Sequence, residues 1–152
     1  MQPSLTHSAR IEPVAVPHIS SSSSLQAALS VVARVLISPI FLMSGMMKIM
    51  HWSETAQHMT DHGMRAVPFF LAAAIVVELA GGLSVLLGIK PRWGAGLLVL
   101  FLIPVTLVFH SFWQYDGRER ENQMQHFSKN VTIIGGLLAL SACGAVRRRN
   151  EE

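Results

Sequence analysis

One acid stands in the middle of the most apolar stretch of this chain. Val67 to Ile89, VPFFLAAAIVVELAGGLSVLLGI, carries Glu78 as its single charged residue. A run of that length spans a bilayer, since roughly 20 apolar residues cover the ~30 Å hydrocarbon core. A carboxylate at that depth is costly and calls for a named partner. The candidates are Arg34 and Lys48 in the preceding apolar run, His110 near the end of the following one, and Lys129 and Asn130 opening the last. Counted from one membrane face at 1.5 Å per helical residue, Glu78 lies about 16 Å inside and Arg34 about 9–14 Å inside. Arg34–Glu78 is therefore the expected buried pair, with Lys48 and His110 nearer the opposite face.

A buried pair of this kind can be a packing and register device with no chemistry. It can also line a pocket. In that reading Lys48, Glu78, His110, Lys129 and Asn130 form a candidate quinone or ligand site. A quinone head group needs a donor, an acceptor and a proton route, and Glu and His are the types that accept and pass protons. The bland reading of His110 is an interfacial side chain beside Trp113. No catalytic residue can be assigned.

The methionines and histidines make a second group. Met43, Met46, Met47, Met50 and His51 are followed by His58, Met59, His62 and Met64. Thioether and imidazole ligands together suit Cu(I), and His58 and His62, four residues apart, share a helix face. Methionine is also a flexible filler between packed helices. The packing reading is preferred, and no metal is assigned.

Four apolar runs must position these residues. Span one covers about 25–50, with Pro39 removing a hydrogen bond at mid-helix. His51 to Ala66 is too polar to span and reads as a short interfacial helix ending at Gly63, with Trp52 as an anchor. Span two is the Glu78 stretch, where Ala80, Ser84 and Gly88 form a ridge of small residues. Span three covers about 92–113 and contains Pro104. Residues 114–128 read as a charged, solvated loop. Span four covers about 127–146, with Gly135, Ala139 and Cys143 as a second ridge. The organisation is a disordered polar tail over 1–24 with Ser24 as a helix cap, a four-span domain over 25–146 and a charged tail over 147–152. The tail lacks the pattern of a secretory signal peptide.

Composition agrees. Of 152 residues 51% are hydrophobic and 14% charged, against about 25% charged in a soluble domain. The net charge of +3 comes without the aromatic–basic interleaving of a nucleic-acid binder. Arg147, Arg148 and Arg149 follow an apolar run and read as a topology signal in contact with anionic lipid. Their side is assigned to the cytoplasm, with both termini. Cys143 is the only cysteine, so an intrachain disulfide or CxxC pair is excluded. The fold class is all-α, a polytopic membrane four-helix bundle.

Several segments resemble the DoxX family of small bacterial four-helix membrane proteins. They are ARVLISPIFLMSGMMKI, VVELAGGLSVLLGIKPRWGAGLL, VFHSFW and HFSKNVTIIGGLLAL, spread between Val32 and Leu140. The resemblance implies an inner-membrane bundle with its polar residues at Arg34, Lys48, Glu78, His110, Lys129 and Asn130. It implies a redox association for some relatives, with thiosulfate:quinone oxidoreductase or with oxidative-stress and thiol-oxidant defence. The expectation is a quinone-linked redox subunit, or a membrane anchor for a partner oxidoreductase. The alternative is a non-enzymatic scaffold or stress-response component acting through helix contacts. Quinone is the one cofactor this reading calls for. The expected partners are the bilayer, an oxidoreductase subunit and a second copy of the chain.

Overall fold

The computed structural model describes residues 21–149, with side chains over 24–142. Helix α1 runs Ser21–Met50, α2 Trp52–Asp61, α3 Val67–Leu87, α4 Pro91–Phe109 and α5 Gly117–Arg149, with a 3-10 turn at Phe112–Gln114. No strand occurs among the described residues. Three segments are long and apolar enough to cross a membrane: Ser24–Met50, Val67–Leu87 and Pro91–Gln114. The fourth long helix, α5, is polar in its first half and apolar only beyond Asn130. The protein is an all-α membrane bundle of four long helices, with α2 lying between α1 and α3.

Three boundaries differ from the sequence reading. The segment expected to be a charged loop over 114–128 is helical from Gly117. Its residues are good helix formers, and Gln123 Nε2 donates to Glu119 Oε1 four residues back at 2.8 Å, a pairing that supports a solvated helix. At the other end, α1 already includes Ser21. Ser24 is therefore inside the helix, and the tail expected over 1–24 gives up its last four residues to α1. The rest of that tail lies outside the described residues. Arg147–Arg149 belong to α5, while 150–152 of the expected charged tail also fall outside.

Close approach sets the register between helices. Lipid tails are as apolar as leucine, so helices in a bilayer associate through packing at small residues. Neighbouring glycines on α3 face two different partners. A methyl group on Gly81 would stand 2.7 Å from the Leu98 side chain of α4, and one on Gly82 2.9 Å from Leu42 of α1. Gly45 of α1 similarly abuts Leu79. At the α3 C-terminus Gly88 takes a left-handed φ of 72°, which glycine adopts without strain. Its open side is filled by the Arg34 guanidinium.

The contacts Arg34–Gly88, Leu42–Gly82 and Gly45–Leu79 show α1 antiparallel to α3, with Arg34 level with the end of α3. The first turns of α1 overhang the bundle. The main core joins Phe41, Val85, Leu98, Leu102, Leu137 and Leu140 from four helices. A second cluster of Met59, Val67, Leu71 and Ile75 fastens α2 to α3. Buried Met59 is the apolar face of an otherwise polar α2, as an interfacial helix requires.

Candidate functional site

Glu78 is buried, as its position in the middle of α3 implies. Its partner is Lys48. The Lys48 ammonium lies 2.9 Å from both carboxylate oxygens and donates to Ser44 Oγ at 2.6 Å. Ser44 in turn donates to Glu78 Oε1 at 3.0 Å. All three ammonium hydrogens thus have acceptors. Helical side chains tilt toward the N-terminus of their own helix. In an antiparallel pair the two side chains therefore lean toward each other, so Lys48 near the end of α1 reaches inward to Glu78.

The expected Arg34–Glu78 pair is not formed. Arg34 donates through Nε to the Ser30 carbonyl at 3.2 Å and rests against Gly88, ten residues along α3 from the acid. The depth count failed because it set the ends of α1 and α3 flush. The overhang of α1 moves Arg34 up to the C-terminal turn of α3, where the helix dipole favours a cation, and brings Lys48 to the acid.

Next to Lys48 a cleft of about 420 Å³ opens where α1 meets α2, lined by Ser44, Met47, Lys48, His51, Glu54 and Thr55. The Lys48 side chain is 24% exposed and that of Glu78 6%. The ammonium therefore stands between the cleft and the buried carboxylate.

The remaining expected pocket residues gather elsewhere. With Gly81 level with Leu98, His110 sits about 13 Å along the bundle from Glu78 at 1.5 Å per residue. It ends α4 and donates from Nδ1 to Gln123 Oε1 at 2.9 Å, whose amide is committed to Glu119. Its ring stacks on His126 at 5.0 Å between centroids. The Lys129 ammonium donates to His126 Nδ1 at 3.1 Å. Asn130 is buried and donates to Thr106 Oγ1 at 3.0 Å, an α4–α5 bond inside the bundle. The expected five-residue pocket is thus two centres, Lys48–Glu78 and His110–Lys129, with Asn130 in a third, structural role.

His58 and His62 do share a face, with ring centroids 4.4 Å apart, and both pack on Phe109. His62 Nδ1 bonds to the His58 carbonyl at 2.9 Å. Met43, Met46, Met47 and Met50 are half or more exposed along α1. Among the described residues no three His, Cys, Asp or Glu side chains converge as metal ligands. Burial, reinforced by His62, holds the His58 imidazole below its usual pKa, with nearby Asp61 opposing and His110 adding to the shift. His126 is lowered in the same way, by burial and then by Lys129 and His110, against Glu119.

Three participants were missed. Ser44 is four residues before Lys48 and could have been found on that helix face. Thr106 is the one hydroxyl residue of α4 and was readable as an interhelical donor or acceptor. Gln123 had no signal, because its segment was read as loop.

The DoxX family model matches residues 29–111, a span that contains Arg34, Lys48, Glu78 and His110 but not Lys129 or Asn130. The chain is 34% identical over 113 residues to inner membrane protein YqjF of Escherichia coli (strain K12), covering 74% of this chain and 82% of that protein. It is 28% identical over 116 residues to inner membrane protein YphA of the same organism, covering 76% and 83%. A shorter likeness, 28% over 71 residues, links it to ER-derived vesicles protein ERV29 of Saccharomyces cerevisiae, covering 47% of this chain and 23% of that one. No solved structure matches.

Proposed function

The chain belongs to the DoxX family of inner-membrane proteins, and from that premise we propose that it is a quinone-linked redox subunit, or the membrane anchor of a partner oxidoreductase. The observation that carries this is that Lys48, which lines the α1–α2 cleft, is ion-paired on its inner side to buried Glu78. A quinone brings two-electron, two-proton chemistry to such a site. Lys48 gives one head-group oxygen the hydrogen it otherwise gives Ser44, Ser44 Oγ is then free to accept from a quinol hydroxyl, and Glu78 behind them holds the ammonium in place. A cleft of this volume is within the range of small-molecule sites, and it opens at the level of α2, where a lipid-soluble head group would arrive. His110 has no part in this site, which revises the expected head-group end.

The test is binding of a short-chain ubiquinone analogue to purified protein, followed by quenching of Trp52, which neighbours His51 at the cleft. Lys48→Met and Glu78→Gln should each weaken binding by ten-fold or more, the order of one charge-assisted hydrogen bond, and His110→Ala should leave it unchanged. Equal binding by wild type, Lys48→Met and Glu78→Gln removes the reading. We also place both termini in the cytoplasm, with the cleft and the imidazoles on the periplasmic side. Reporter fusions at 116 and at the C-terminus check this.

The scaffold alternative shifts to a different helix. On α3 the ridge is used inside the chain: Ser84 packs on Gly94, and Gly88 on Arg34. On α5, Gly135 and Ala139 are exposed, and a side chain at Gly135 would meet open space. Partner or self association by that face should be lost in Gly135→Leu, read by co-purification from detergent extracts.

A further inference from the structure

The turn between α3 and α4 heads a groove of different chemistry, at the opposite end of the bundle from the cleft. The groove encloses about 570 Å³ and is lined by Ala80, Leu83, Leu87, Trp93, Gly94 and Leu97, with Lys90 at its mouth. Its narrow floor comes from Gly81 and Gly94, which let the two helices approach closely. Ser84 does not make it polar, because its hydroxyl is spent on the Ile89 carbonyl at 2.7 Å. Leu87 and Trp93 are 63% and 80% exposed, so the groove faces lipid.

The mouth is basic and unneutralised. Lys90 and Arg92 are both exposed and make no ion pair among the described residues. This end carries no described carboxylate: Glu54, Asp61, Asp116, Glu119 and Glu121 lie at the other end, and Glu78 is at mid-helix. Trp93 stands where an indole meets the headgroup region. An apolar channel that ends at Lys90 and an interfacial indole, with exposed Arg92 between them in the chain, matches one kind of occupant in polarity along its whole length.

We propose that this groove seats an acyl chain of an anionic phospholipid, with the phosphate held by Lys90 and Arg92. The apolar walls take the chain, and the cations select the headgroup. A basic side chain at an anionic membrane surface contributes roughly five-fold in binding, so the pair should give about 25-fold.

The test is native mass spectrometry of the whole chain extracted in mild detergent, titrated with phosphatidylglycerol or phosphatidylcholine. Wild type should retain one phosphatidylglycerol in preference to phosphatidylcholine. Lys90→Ala/Arg92→Ala should lose that preference by about 25-fold, while Ala80→Phe, which fills the groove, should weaken retention of both lipids. Soluble glycerol phosphate should not compete, because it lacks the chain. Both variants alter exposed positions, and an unchanged helical circular dichroism spectrum confirms that they fold. Equal retention of the two lipids by wild type overturns the proposal, as does full retention in the groove-filled variant, or displacement by glycerol phosphate alone.

Discussion

Charged and polar groups are handled in two ways within this bundle. At the α1–α3 contact a half-buried ammonium closes over a buried carboxylate, with every ammonium hydrogen accepted and the backbones drawn close by glycine. At the end of α4, imidazoles from three helices gather in a partly exposed cluster, held by ring stacking and side-chain bonds. The first arrangement has no spare partner, so losing one member leaves the other stranded. The second can exchange partners with water. The difference teaches that depth, more than residue type, decides how costly a change will be.

That contrast can be broken most sharply at Lys48. Lys48→Met leaves a buried carboxylate without its cation and should cost about 3 kcal/mol, whereas Lys48→Met/Glu78→Gln should recover most of it, because no lone charge remains. Denaturant titration in micelles reads both. If the single variant is as stable as wild type, the pair is not buried in the sense described.

A smaller effect is expected from packing alone. Gly81→Val pushes a side chain into Leu98 and should cost about 1–3 kcal/mol. Gly135→Ala, where the space is open, should gain up to about 1 kcal/mol from helix propensity. Opposite shifts of melting temperature, the loss larger than the gain, would sharpen the view that α3 is the crowded helix and α5 the open one. Next comes the interhelical bond between Asn130 and Thr106. A double-mutant cycle with Asn130→Leu and Thr106→Val should show a coupling of about 0.6 kcal/mol, the usual size of such a bond between membrane helices.

The smallest effect is the pH response of the imidazole cluster. His58 and His126 titrate below their usual value in the folded protein. Their contribution to stability is therefore complete above about pH 6.5, the ordinary imidazole value, and is lost as pH falls through the depressed folded values. Trp113, edge-on to Phe127 beside His126, offers a fluorescence probe. Its melting transition should fall between pH 6.5 and pH 5 in wild type and stay flat in His58→Gln/His126→Gln.

Much of this architecture could be read from residue order. Span two is bounded by the ends of its apolar run, and α2 by its polarity and Gly63. Glu78 stood out because a lone acid in an apolar run is costly without a partner. Its partner was misread because sequence gives the length of a helix but not how far it slides past its neighbour. That slide is set by Gly45 and Gly82 meeting Leu79 and Leu42, contacts between residues far apart in the chain. The α5 helix was cut short for a similar reason. The charges of 118–121 look like a loop when hydrophobicity is the only guide, yet Arg and Glu are good helix formers, and Glu119 pairs with Gln123 four residues on. The likeness to DoxX proteins carried the family and the membrane, and left the site chemistry to geometry.

The central claim is that Lys48, and not Arg34, holds Glu78. Two double-mutant cycles in the same micelles decide it, one with Lys48→Met and Glu78→Gln, the other with Arg34→Met and Glu78→Gln. A coupling of at least about 1 kcal/mol is predicted for Lys48 and Glu78, and additivity to within about 0.5 kcal/mol for Arg34 and Glu78. Additive behaviour of Lys48 with Glu78, together with strong coupling through Arg34, would contradict the register and the site built on it.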